Sequence, residues 1–195
     1  MKTINEPTYS FVILTFVLIL IDTLLAWASM TIFPSAAGGV ASWLYFAVAF
    51  MILFTLWFGA YGAIAAYAGT LVGLGLLASD TLARHPEIAV FWAIAGLLQV
   101  LIPLVAVRSF DVNLSMEGPR DYTYILLFGV LINNLIGAAW ATWWISLAVT
   151  VNMGAVFSSW LVGDVIVCAL IVPLALRHFT PKVQKSRLFV KYYWD

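Results

Sequence analysis

Five carboxyl or carboxamide side chains stand inside apolar stretches of this sequence: Asp22, Gln99, Asn133, Asn134 and Asp164. Asp164 carries most weight, because Ser158 to Arg177 reads SSWLVGDVIVCALIVPLALR, an apolar run long enough to cross a bilayer. A carboxylate at the middle of a spanning helix costs about 2.5 to 3.5 kcal/mol on insertion scales, so such residues face a bundle interior, a cavity or a partner. No Lys, Arg or His lies within any of the apolar runs. Asp22 and Asp164 must therefore be protonated, hydrated or offset by something bound. A ligand held by them is expected to be neutral with hydrogen-bond donors, or cationic.

Helix rise places these residues at similar depth. Asp22 lies about 18 Å from Ser10, Asp164 about 20 Å from Arg177, Asn133 and Asn134 about 17 Å from Tyr122, and Gln99 about 14 Å from Arg108. In a bilayer about 30 Å thick that level is the middle to outer half. Two explanations fit such a layer. The side chains are interhelical glue, or they line a pocket at the bundle centre, with aromatic walls drawn from Trp43, Tyr45, Trp57, Tyr61, Trp140 and Trp160. The candidate ligand-binding set is Asp164, Asp22, Asn133, Asn134, Gln99, Trp160, Trp43 and Tyr61.

Catalytic chemistry finds little purchase. His85 and His178 lie in opposite flanking regions, and there is no HExxH or paired-carboxylate spacing for a metal. Neither a Walker A sequence nor a GxSxG elbow occurs. Ser158 and Ser159 have no nearby base, and Cys168 is the single cysteine, which leaves no disulfide framework and no Cys-based metal site. The chain is expected not to be an enzyme, with no cofactor, no metal and no nucleic-acid partner.

The elements that must position these residues follow from composition. With 64% hydrophobic and 9% charged residues and a mean hydropathy of +1.04, the chain is an integral membrane protein. Six apolar runs are expected to be helices: Ser10 to Met30, Val40 to Trp57, a third from near Gly59–Tyr61 to Ser79, Ile88 to Val107, Tyr122 to Val149, and Asn152 to Leu176. The first is about 20 residues long and contains an acid, whereas a cleavable signal has a short apolar region after a positive start, so it is expected to be a helix of the mature protein. Phe33 to Gly39 breaks the first run with Pro and paired Gly, an uncharged loop that could dip back into the protein. In the third run, Gly62, Ala66 and Thr70, and likewise Ala65, Gly69 and Gly73, form small-residue series suited to close helix packing, within the chain or against another subunit.

Eight of the nine Lys and Arg (Lys2, Arg108, Arg120, Arg177, Lys182, Lys185, Arg187, Lys191) fall on one side of a six-span arrangement, and only Arg84 on the other. Both termini are therefore expected to be cytoplasmic. The expected fold is an all-α, multi-pass cell-membrane bundle in a single domain, residues 1–195. Residues 1–9 form a cytoplasmic N-terminus, 10–176 the six-helix bundle and 177–195 a basic tail that touches anionic lipid or a cytoplasmic partner.

Size, six expected helices and the segment FGAYGAIAAYAGTLVGLGLL from Phe58 to Leu77 resemble the substrate-binding S-components of energy-coupling factor (ECF) vitamin transporters. The resemblance implies capture of a vitamin-like small molecule from outside, with delivery through a transmembrane coupling subunit and ATPases. That family's alanine-x-x-x-alanine pattern is missing from the first run, where Ala26 is followed four residues on by Met30; the small-residue face of the third run would substitute. A second likeness is more motif-like. Phe33-Pro34-Ser35-Ala36-Ala37-Gly38, then Asn133-Asn134-Leu135-Ile136-Gly137-Ala138, then Trp160-Leu161-Val162-Gly163-Asp164 with Pro173 beyond, is similar to bacterial membrane-associated sensory (MASE-type) domains, which implies ligand sensing rather than uptake.

Overall fold

The computed structural model describes residues 9–35 and 39–190. Ala36, Ala37 and Gly38 of the expected loop, and the basic residues Lys2 and Lys191, lie outside the described residues. In chain order the helices are α1 (Tyr9–Ile32), α2 (Phe46–Phe58), α3 (Ala60–Gly69), α4 (Asp80–Ala83), α5 (Pro86–Trp92), α6 (Ile94–Ser109), α7 (Pro119–Leu126), α8 (Asn133–Ala148) and α9 (Met153–Val183). Two π-helical stretches join or extend them, Thr70–Ala78 after α3 and Leu127–Ile132 between α7 and α8. The fold is all-helical among the described residues. Five continuous helical stretches are long and apolar enough to cross a membrane: Tyr9–Ile32, Ala60–Ala78, Pro86–Ser109, Pro119–Ala148 and Met153–Val183.

The second apolar run behaves differently from the expected helix over Val40 to Trp57. Only Phe46–Phe58 is helical, 13 residues, or about 20 Å of rise. Residues 40–45 are non-helical because side chains and neighbours claim their backbone. Ser42 Oγ donates toward the carbonyls of Ser29 and Phe33, each at 3.0 Å, and accepts from Leu44 N at 3.3 Å. Ser29 Oγ in turn accepts from Phe46 N at 3.1 Å, and Pro34 pairs with Ser42 in an antiparallel bridge. Short polar side chains bonded to nearby backbone compete with helix in this way.

The short helix forms the centre of the bundle. Nine of the 13 residues of α2 are buried, and the four half-buried ones, Phe46, Phe50, Phe54 and Phe58, recur every fourth residue along one stripe of a helix that is apolar all round. It packs against α1, α3, α6 and α9. Its turn into α3 passes through Gly59 at φ 60°, a conformation glycine adopts without penalty. The small residues of the third run are consumed inside the chain. A methyl at Gly62 would strike the backbone of Phe54 and Thr55 on α2, and methyls at Gly69 and Gly73 would strike Asp22 and Thr23 on α1.

At the other end of the chain, α9 continues to Val183, so Arg177, His178 and Lys182 sit on its last turns and not in the separate tail expected from residue 177. Trp57 Nε1 donates to Thr180 Oγ1 at 3.0 Å, and Val190 N donates to the Trp57 carbonyl at 3.0 Å. The first bond ties α9, and the second the end of the described chain, to the end of α2.

Candidate binding centre

The centre is built from a proline. Pro103 on α6 has no N–H, so the carbonyl four residues earlier, that of Gln99, loses its helical partner. Asn133 Nδ2 fills the gap, donating to the Gln99 carbonyl at 3.2 Å. The Gln99 side chain then reaches across the bundle: Nε2 donates to Asn134 Oδ1 at 2.8 Å and to Asp164 Oδ2 at 2.6 Å. Asn134 Nδ2 donates to the Val130 carbonyl at 2.8 Å, inside the π-helical stretch that leads into α8. Helices α6, α8 and α9 are thus joined by one polar network. Gln99, Asn133, Asn134 and Asp164 are all buried.

Beside this network lies a cavity of about 10 Å³, bounded by Ala41, Ser42, Tyr45, Leu74, Trp160 and Asp164. Trp160 and Asp164 are four residues apart and share one face of α9. Gly163 explains how the non-helical segment comes so close, since any Cβ there would collide with the Trp43 carbonyl. Trp, Gly and Asp of the Trp160-x-x-Gly163-Asp164 sequence therefore act together: the glycine admits the backbone of 42–43, and the other two face what that backbone encloses. Trp92 backs Trp160 in an edge-on contact, with ring centroids 5.4 Å apart.

The structure separates the other expected site residues. Asp22 is fully buried but faces Gly69 at the crossing of α1 and α3, outside the cavity wall. Tyr45 shares the cavity with Asp164 and not with Asp22. Trp43 is 51% exposed, because its backbone and not its ring packs on Gly163. Tyr61 is stacked on Phe11 at 4.7 Å near the start of α1, about 16 Å of helix away from Asp22. Of the further aromatic residues expected as walls, Trp57 is engaged by Thr180, and Trp140 Nε1 donates to the Phe91 carbonyl at 2.8 Å. Only Tyr45 and Trp160 of the aromatic set reach the cavity. Ser42 and Leu74 also line it and had no distinguishing signal in the sequence.

Unpaired acceptors and donors both occur here. Among the described residues, Gln99 Oε1, Asn133 Oδ1 and the Tyr45 hydroxyl, and likewise the indole nitrogens of Trp92 and Trp160, are buried without a hydrogen bond of ordinary geometry, as are both carboxyl oxygens of the more distant Asp22. No ion pair reaches either acid; the one present among the described residues joins His85 and Glu87 at 3.4 Å. A buried acid without a cation suits a guest that brings positive charge or hydrogen-bond donors. No protein-family model, curated protein or solved structure matches this chain.

Proposed function

We propose that this chain is a membrane-embedded binding subunit that captures a small, donor-bearing or cationic solute at the centre formed by Asp164, Gln99, Asn134, Tyr45 and Trp160. In this reading it spans the cell membrane six times with both termini cytoplasmic, α2 and the segment before it together making one crossing. It hands the solute on with the help of a coupling subunit and ATPases, as an ECF S-component does. The observation that carries the reading is the buried Asp164 carboxylate, which has an amide for a partner and no cation, beside a cavity.

The size of the cavity sets a condition. Pockets for organic ligands are on the order of 300 Å³ or more, against about 10 Å³ here. A vitamin-sized solute therefore requires the 40–45 segment to move away from Gly163 and open the space above Asp164. Native mass spectrometry of the purified protein tests the proposal. A retained organic molecule that is lost in Asp164→Asn supports it; a wild-type protein that carries lipid alone, whatever solutes are supplied, sinks it.

A sensory role is favoured by a different observation. The Pro34–Ser42 bridge and the Trp160-x-x-Gly163-Asp164 face, far apart in sequence, are the two sides of one contact. They are also the two most distinctive parts of the MASE-type likeness. Such a contact could report occupancy to a separate output protein. Co-purification of coupling and ATPase subunits favours uptake, and of a kinase or cyclase favours sensing.

A further inference from the structure

We infer that the cavity between Asp164, Tyr45 and Trp160 is a site for one monovalent cation of about the size of water, an inference that rests on reading this centre as a binding site. The volume, about 10 Å³, is room for a single water-sized guest and excludes an organic molecule in this conformation. Charge narrows the choice. Asp164 is 1% exposed and receives the Gln99 amide, yet no Lys, Arg or His forms an ion pair with it among the described residues. A buried carboxylate without a counter-charge is strongly disfavoured, so the acid holds either a proton or a small cation, and only the second makes stability depend on which cation is supplied.

The lining supplies what a small cation needs. Tyr45, only 3% exposed, lines the cavity, and its hydroxyl, with Thr70 for a polar neighbour, makes no hydrogen bond of ordinary geometry among the described residues. Trp160 closes the cavity on the α9 side. Ala41 and Ser42, in the non-helical segment, form another wall. A divalent metal fits poorly. No group of three or more His, Cys, Asp or Glu able to hold one occurs among the described residues, so Asp164 would face two charges with one.

The test uses the purified full-length chain in detergent, with sodium, potassium or ammonium chloride exchanged for N-methylglucamine chloride at constant ionic strength. Melting temperature and tryptophan fluorescence are read against cation concentration. One of the small cations is expected to raise the midpoint saturably, as any ligand of the native state does, and the large organic cation is not. The response should vanish in Asp164→Asn. In Tyr45→Phe the half-saturating concentration should rise about tenfold, the effect of losing one bond to a charged group.

Equal responses to all four cations, or an unaltered response in Asp164→Asn, would overturn the inference. Should Asp164→Asn fail to fold, an unaltered half-saturation in Tyr45→Phe overturns it alone. The broader functional reading fails separately. An organic solute retained equally with and without the small cation leaves that reading standing and removes the ion; a specific cation response with no organic solute does the reverse.

Discussion

Gln99 Nε2 lies 2.6 Å from Asp164 Oδ2 and 2.8 Å from Asn134 Oδ1, so one amide ties α6 to both α8 and α9 at the buried middle of the bundle. The contact depends on a small neighbour: a Cβ at Gly137 would stand 2.5 Å from Gln99 Cγ. The position of the acid is thereby fixed by a side chain on another helix, which in turn is seated by a glycine on a third.

Gln99→Leu keeps the bulk and removes the amide. It leaves Asp164 Oδ2 and Asn134 Oδ1 without their donor and is expected to destabilise the fold by about 1 to 3 kcal/mol. Denaturant or thermal unfolding in detergent measures this, and a midpoint equal to the wild type would mean the network contributes nothing to stability.

Pro103 and Asn133 should be coupled. In the wild type, Asn133→Leu strands the Gln99 carbonyl that Pro103 leaves without a helical donor, at a cost of about 1 to 3 kcal/mol. In a Pro103→Ala background the helix itself can supply that donor, and Asn133→Leu should cost less. A double-mutant cycle whose two arms are additive would remove proline from the explanation of the site.

The acid, the amides and their meeting were legible in the sequence, because a hydrogen-bonding group in an apolar run has few stable places to go. Gln99, Asn133, Asn134 and Asp164 all follow that rule. The facing of aromatic residues was not legible. Trp43 and Tyr61 sit in runs that are apolar on every side, so hydropathy gives no phase to say which ring turns inward. Asp22 illustrates the same limit: rise gives its level along α1, while the direction it faces is decided by Gly69 opposite. The non-helical stretch at 40–45 was hidden for another reason. Its residues are small or apolar, and only the remote partners Ser29, Phe33 and Gly163 show why it does not wind into a helix. The four-residue spacing of Gln99 and Pro103, by contrast, is a signal present in the sequence that points to an orphaned carbonyl.

Gly163→Ala should be more disruptive than an ordinary glycine-to-alanine change in a helix. Elsewhere in a helix interior such a change is favourable by about 0.5 to 1 kcal/mol. Here the added methyl meets the backbone carbonyl of Trp43, which cannot rotate away like a side chain. A loss of about 1 to 3 kcal/mol is expected, together with altered Trp160 emission as the 42–43 segment is pushed off α9. Stabilisation by this substitution would show that the segment is not seated on Gly163.

Thr180→Val removes the only hydroxyl that Trp57 Nε1 meets among the described residues, leaving a buried indole donor unpaired. It should cost about 1 to 3 kcal/mol, whereas Thr180→Ser, which keeps the oxygen, should cost clearly less. Equal losses in the two variants would assign the effect to packing of the methyl group and not to the hydrogen bond.

Cysteine labelling tests the path of the chain through the membrane, and in particular whether the 13-residue α2 completes a crossing. The single native thiol, Cys168, is buried, so the wild type should not react with a membrane-impermeant maleimide. Between the exposed positions Ile32, at the end of α1, and Arg187 lie α2 with its lead-in and the four long helical stretches that follow. If α2 and its lead-in cross, the passes between these positions are odd in number, and the two positions face opposite sides. Ile32→Cys should then label in intact cells, and Arg187→Cys only after the membrane is opened, the orientation expected from the distribution of basic residues. Labelling of both variants from the same side would mean that α2 turns back within the bundle. The Asp164 centre would then be reached from the opposite face.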